Sequence, residues 1–344
     1  MDLLSFFIIC VKVLLVFAGT LLAVLIMVYA ERRVSAFMQG RLGPNRVGPQ
    51  GLLQPIADGI KFLMKEDIIP DGVNKPIYLL APVIMLIPAL MTFAVIPFGS
   101  TITLFDRDII LQVADVNIGI LYILALTSIG VYGIVLAGWA SNSKYTLIGG
   151  LRSSAQLISY ELALGLSVVS IILMSGSLRL NDIVADQQGY FLSWYVFKQP
   201  LAFLIFLIAT YAETNRLPFD LAEAEQELVG GYHTEYSSMK FAMFFMSEYA
   251  NMITAAALTV TLFFGGWDVP LLDEKSLGIW GAMLSVASFI LKMGFFLFLF
   301  IWIRWTFPRF RYDQLMKLGW KVLLPLSLIN IFITGGYLTL AALK

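Results

Sequence analysis

Eight stretches of this 344-residue chain are long and apolar enough to cross a bilayer, and that excludes an ordinary soluble fold. A hydrocarbon core about 30 Å thick takes roughly 20 helical residues, and lipid tolerates only backbones whose polar groups bond internally. The stretches are Leu3–Ala30, Pro76–Phe98, Ile118–Ala140, Ala155–Ser175, Phe191–Ala212, Phe241–Phe264, Leu277–Ile303 and Val322–Leu343. The fifth is the weakest, because Lys198 and Pro200 interrupt it. Charged residues make up 13% of the chain, against about 25% in soluble domains. The expectation is an all-α polytopic membrane protein, one membrane domain over residues 1–344. Leu3–Ala30 is too long for a signal peptide and is expected to remain as a membrane helix.

Basic residues set the orientation. The loops after the first, third, fifth and seventh spans, with their flanks, carry sixteen Lys and Arg; the opposite loops carry five. By the positive-inside rule the richer side faces the cytoplasm or its equivalent. Three cytoplasmic segments stand out: 30–75, 212–240 and 303–321. The net charge of zero gives no sign of a nucleic-acid partner. Cys10 and His233 are the single cysteine and histidine of the chain. Iron–sulfur, bis-histidine haem and tetrahedral zinc sites all need more such ligands, so no metal site is expected here. Cys10 reads as a small core hydrophobe.

Apart from Lys198 in the weak fifth span, the charges inside spans are Lys12, Glu161, Glu248 and Lys292. Each is disfavoured by a few kcal/mol at mid-bilayer unless paired or hydrated. Glu161 and Glu248 lie in the cytoplasmic halves of their spans, and Glu213 ends the fifth from the same side. The stretch Ala212–Met239, AETNRLPFDLAEAEQELVGGYHTEYSSM, adds Asp220, Glu223, Glu225, Glu227 and Glu235. Pro218 disfavours helix at Leu217, so a span is expected to stop there. Asp220 can then cap a new helix, with Glu223 and Glu227 on its stripe and Glu225 pointing elsewhere. A solvated acidic face accounts for that loop on spacing alone. Acids clustered at one membrane level, however, share protons and suit a proton path. His233 sits among them and is read as a satisfied loop histidine, and the roles of Lys12 and Lys292 stay open.

The first basic loop has turns at Gly43-Pro44 and Gly48-Pro49. Leu52–Lys65 then reads as an amphipathic helix, with Leu52, Leu53, Ile56, Ile60, Leu63 and Met64 leaning one way. It can lie in the interface, or line a mouth for an amphiphile with a polar head and a greasy tail.

The segments ERRVSAFMQGRLGPNRVGPQGLLQPIADGIK, SAQLISYELALG, AETNRLPFDLAEAEQELVGGYHTEYSSMKFAMFFMSEYANM and FPRFRYDQLMKLGWK together resemble one family. It is the respiratory complex I membrane subunit that is numbered subunit 1 in mitochondria, together with its bacterial H-type counterparts. The likeness runs from Glu31 to Lys321. The resemblance implies a subunit of a proton-translocating NADH:quinone oxidoreductase that holds no complete active site alone. Its cofactors, FMN and iron–sulfur clusters, would sit on partner subunits, and its substrate would be ubiquinone or menaquinone. Implied partners are the peripheral-arm subunits with the terminal cluster, small membrane subunits and antiporter-like subunits. The implied location is a bacterial inner membrane, or a mitochondrial inner membrane if the chain is organelle-encoded. By motif, Arg32, Arg33, Phe37, Arg41, Ala57, Asp58, Ile60, Lys61 and Phe62 would line the quinone chamber. Glu161, Glu213, Asp220, Glu223, Glu225, Glu227, Glu235 and Glu248 would form the proton path, Arg309 would tether it, and Gly230-Gly231 offers a hinge.

Two rivals remain. A stand-alone secondary transporter would explain buried charges, but it predicts internal repeats, and no repeat of the acidic loop or of GPNRVGPQG is found. Homologous anchor subunits of membrane-bound hydrogenases or ferredoxin-linked complexes are closer, and the intact ERR and ADGIK segments favour a quinone user.

Overall fold

The structure, a computed structural model, describes residues 3–104, 107–220, 230–272 and 277–343. Among these residues seven helices are long and apolar enough to span a membrane. They are α1 (Leu3–Met38), α3 (Lys75–Met91), α4 (Gly119–Ala140), α5 (Lys144–Ser175), α9 (Ser238–Phe263), α10 (Ile279–Thr306) and the kinked pair α11 (Tyr312–Lys317) and α12 (Leu324–Ala342). A π-helical segment, Leu318–Leu323, joins the last two. Short helices fill the connections: α2 (Gln54–Met64), α6 (Leu180–Ala185), α7 (Tyr195–Lys198) and α8 (Pro200–Glu213).

The fifth expected span is therefore a broken one. Gln199 leaves helical geometry, because the residue before a proline is pushed out of the α region, and Pro200 restarts the chain as α8 with 14 residues. Other boundaries also move. α1 continues through Glu31, Arg32, Arg33 and Phe37, which were expected in a loop; no glycine or proline interrupts it between Arg32 and Gly40. α5 begins at Lys144 rather than Ala155, so its basic first turns stand above the apolar part. A hairpin that hydropathy does not foretell pairs β1 (Thr101–Leu104) with β2 (Arg107–Ile110), Thr101 opposite Ile110.

Five helices close a ring, each packed on the next: α3 on α4, α4 on α5, α5 on α8, α8 on α9 and α9 back on α3. α1 and α10 lie outside against α9, and α12 lies outside against α5. Small residues let α4 and α5 approach, as membrane helices commonly do. A Cβ on Gly138 would stand 2.7 Å from the Thr146 carbonyl oxygen and 3.3 Å from the Gly150 Cα.

The two membrane ends differ in chemistry. At the end poor in basic residues, two partly buried lysines fasten the loops. Lys12 Nζ donates to the carbonyls of Ile110 at 2.7 Å and Gln112 at 3.2 Å. Lys292 Nζ donates to Phe264, Gly266 and Asp268 at 2.9, 3.1 and 2.7 Å, and lies 4.6 Å over the Trp194 ring. Three N–H donors meeting three carbonyls compensate the lost hydration.

At the same end Arg179 donates twice to Asp115. Those hydrogen bonds, opposed by partial burial, hold the Asp115 carboxyl below its ordinary value. A depressed folded-state value means the pair stabilises above the unfolded carboxylate value of about 3.9 and fades as pH falls through the folded one. Asp115→Asn is thus expected to lower the thermal midpoint slightly at pH 7, by an amount near the ceiling of about 1 kcal/mol for exposed pairs, and by progressively less as acid titrates the folded carboxylate. Melts of purified protein over an acid pH series check this, and a loss that does not shrink as the pH falls would contradict it.

Candidate functional site

Counted from the outer helix ends at Ser175, Pro200 and Phe263, Glu161, Glu213 and Glu248 all lie roughly 20 Å in, at about 1.5 Å per residue. Each hangs from a different helix of the ring, and all three line one cavity at its centre. Met85, Thr127 and Asn251 complete its walls, so all five helices contribute.

The hydroxyls around these acids have two choices of partner. Ser128 Oγ bonds Glu161 and also lies 2.8 Å from the Leu124 carbonyl oxygen. Thr127 bonds Glu213 and lies 3.0 Å from the same carbonyl. An ionised carboxylate takes the hydroxyl proton; a protonated carboxyl gives its own, and the hydroxyl turns to Leu124. Neither state strands a buried polar group, which is the property a titrating site needs. Glu248, 3% exposed, accepts a 3.1 Å hydrogen bond from the Tyr232 hydroxyl.

The other acids separate from this group. Asp220 is bonded to Arg309 at 2.9 Å and does not line the cavity. Glu235 lies behind the stacked Tyr78–Tyr236 pair, its carbonyl accepting from the Tyr78 hydroxyl at 2.7 Å. Glu223, Glu225 and Glu227 lie outside the described residues, as does the helix expected after Asp220. His233 is packed against Tyr232, Phe241 and Phe245. Gln156 holds the turn that carries Glu213 and Asp220, donating to the carbonyls of Ala212 and Phe219, each at 2.8 Å.

The residues expected at a mouth form a separate group around the first basic loop. Arg32, on α1, bonds Asp58 of α2, and Gln54 donates to the same carboxylate at 3.2 Å. Arg33 reaches the Pro44 carbonyl at 3.3 Å, and Arg41 bonds Gln39 at 2.6 Å. Lys61 lies 6.0 Å over the Phe62 ring, which packs on Phe241. Ala57 is half-buried beside them. Phe37, Ile56, Ile60, Leu63 and Met64 are exposed, so the mouth presents an apolar strip beside fixed charges.

A charged cluster adjoins both sets of residues in sequence. Glu31 accepts from Arg304 on one oxygen and from the Tyr249 hydroxyl, at 2.7 Å, on the other. Arg216 Nη1 is 3.5 Å from the Arg304-bonded oxygen, and its guanidinium lies 4.4 Å over the Tyr249 ring. Glu31 neighbours Arg32 of the mouth, while Tyr249 follows Glu248 and Arg216 stands three residues past Glu213. A second link runs along the surface. Ser238 donates to the Phe62 carbonyl at 2.8 Å, and Lys240 pairs with Asp67 at 2.7 Å, tying the end of α2 to the head of α9.

The sequence profile of the family described as NADH dehydrogenase matches residues 11–335. A Geobacter sulfurreducens protein named as an H-type subunit of NADH-quinone oxidoreductase is 58% identical over 335 residues, covering 94% of this chain and 93% of its own. Its Koribacter versatilis namesake is 54% identical, covering 96% of both chains. The Flavobacterium johnsoniae one is 50% identical, covering 95% of this chain and 93% of its own. This chain belongs to the NADH dehydrogenase family.

Membership in the NADH dehydrogenase family sets aside the stand-alone transporter. Several residues of the site have no counterpart among those expected from sequence. Asn251 stands three positions after Glu248, on the same helix face, and that spacing could have found it. Glu31 is masked by Arg32 and Arg33, which make the triplet look like an interfacial anchor. Thr127, Ser128, Thr210 and Tyr232 carry no local signal; only the ring brings them to the acids.

Proposed function

We propose that this chain is the membrane-arm subunit of a proton-translocating NADH:quinone oxidoreductase in which quinone enters at the α1–α2 mouth. Arg32, paired with Asp58, and Arg33, Arg41 and Lys61 offer polar groups to the quinone head, while Phe37, Ala57, Ile60 and Phe62 receive the tail. Ubiquinone and menaquinone share that chemistry. Electrons come from the terminal iron–sulfur cluster of a peripheral-arm subunit docked over the basic side, which faces the cytoplasm of a bacterial inner membrane. The acids of the ring, with Asp220, Glu223, Glu225, Glu227 and Glu235 toward the surface, carry the proton response to neighbouring membrane subunits.

The supporting observation is the Glu31–Arg216–Arg304–Tyr249 cluster between mouth and cavity. Reduction of a quinone to its quinol takes up two electrons and two protons, so charge at the mouth changes in every turnover. A charged, poorly solvated layer transmits that change to Glu248 and Glu213 more strongly than water would. Glu161→Gln keeps the shape of the side chain and removes its titration. In the assembled complex it is expected to suppress quinone reduction and pumping about 10²-fold or more, with NADH oxidation by an artificial acceptor unchanged. Wild-type pumping in that variant would refute the path.

A further inference from the structure

Below Glu213 a second cavity, which shares Thr127, Glu213, Thr214 and Asn251 with the first, forms an arm running away from the basic side between α4, α5, α8 and α9. Besides Glu213 its polar lining is Thr127, Thr210, Thr214, Asn251 and Thr254, and Ile123 and Phe206 help to close its far end. Thr210 stands about one helical turn beyond Glu213. Thr254 stands about 9 Å beyond Glu248 at 1.5 Å per residue.

Thr210 departs from the other buried threonines. The residue is only 1% exposed, and its hydroxyl oxygen has no hydrogen-bond partner among the described residues. A helical threonine ordinarily returns its proton to the carbonyl one turn back. Thr214, Thr259 and Thr261 all do so, to Thr210, Ala255 and Ala257 at 3.1, 2.7 and 2.8 Å. A buried hydroxyl without a partner is strongly disfavoured in a low-dielectric interior, so Thr210 is aimed at something that occupies the arm.

The floor of the arm supplies the complement. Thr92 gives its proton to the Ala89 carbonyl at 2.8 Å, so in the 3.0 Å Thr92–Thr254 contact Thr254 is the donor. Its lone pairs are left as acceptors in the arm. The lining thus offers hydroxyls, one carboxamide and the Glu213 carboxyl, among apolar walls. Among the described residues no cationic group lines it, and the space is too narrow for an organic ligand. A neutral molecule that both donates and accepts fits these groups, and needs two to four polar partners to be held.

We propose that this arm is a water-binding site, organised by Thr210, which hydrates Glu213 on the side away from Glu161 and Glu248. It rests on the proton-path reading above. A carboxyl that changes charge in a membrane needs a solvent shell that stays in place through both states, and the apolar end keeps that shell from becoming a leak across the bilayer.

The test uses the intact complex, as wild type, Thr210→Val and Thr210→Ser. Cryo-EM at a resolution that shows ordered water should reveal water bonded to residue 210 in the wild type and the serine variant, and none in the valine variant. Valine should also lower coupled pumping roughly ten-fold, the scale of one hydrogen bond to a charged group. Serine should restore it, with the artificial-acceptor rate unchanged throughout. The infrared carboxyl band assigned through Glu213→Gln should shift with valine alone. An arm without ordered water in the wild type overturns the proposal, as does a valine variant with wild-type band and pumping. If valine prevents assembly, Thr254→Val is read against the same outcomes. Full pumping by Glu213→Gln would instead strike the path reading itself, whereas inert valine beside a disabled Glu213→Gln defeats only the water site.

Discussion

Glu31→Ala is expected to destabilise the protein by roughly 3–5 kcal/mol, the scale for leaving a buried ion-pair partner uncompensated. Its carboxylate is the acceptor for Arg304 and Tyr249 and the counter-ion of Arg216, whose side chain is 6% exposed. Removing it takes the shared carboxylate from beside two guanidinium groups in a poorly hydrated layer. Glu31→Gln, which keeps an oxygen for Tyr249, is expected to do less damage. The measurement is the amount and thermal midpoint of assembled complex. In a double-mutant cycle with Arg304→Gln the two losses should fall well short of additive, because both remove one interaction. An alanine variant that assembles normally and melts within a degree or so of wild type would show that the cluster is a surface feature.

Gly149→Val is the second large effect. A Cβ on Gly149 would lie 2.8 Å from the Gly231 Cα and carbonyl carbon and 2.9 Å from the Tyr232 nitrogen. Backbone cannot swing aside as a flexible side chain does, so the turn itself must move. That turn carries Tyr232, which bonds Glu248 and packs edge-on to Phe244. Even Gly149→Ala should cost about 1–3 kcal/mol through overpacking, and valine more. The loss of quinone reductase activity should not add to that of Glu248→Gln, since both break the Tyr232–Glu248 contact. Gly19→Ala, where the new methyl meets nothing within 4 Å, is the control and should be neutral or mildly stabilising. Unchanged activity in Gly149→Ala would remove Tyr232 from the site.

The fold is largely legible in the sequence, and the exceptions are physical. Hydropathy locates the spans because each must bury about 20 residues of its own apolar surface. It misses where α1 ends and α5 begins, since a helix that leaves the membrane keeps its backbone bonds while its composition turns polar. Pro200 marks the break in the fifth span, but that α8 stops at Glu213 depends on the turn held by Gln156. The hairpin 101–110 has no alternation strong enough to read.

What the sequence determined by itself is therefore what depends on local composition: the helical membrane class, the near count of spans and the side on which the basic residues gather. What only the tertiary structure decided is which polar groups meet. It put Glu161, Glu213 and Glu248 on one cavity and sent Asp220 to Arg309 and Glu235 behind Tyr78. It gave Lys12 and Lys292 carbonyl partners in distant loops. It paired Glu31 with Arg304, 273 residues away. Apolar burial is set by each segment's own residues, whereas a buried charge is tolerable only beside a specific partner. In this chain those partners come from helices that only the closed ring brings together.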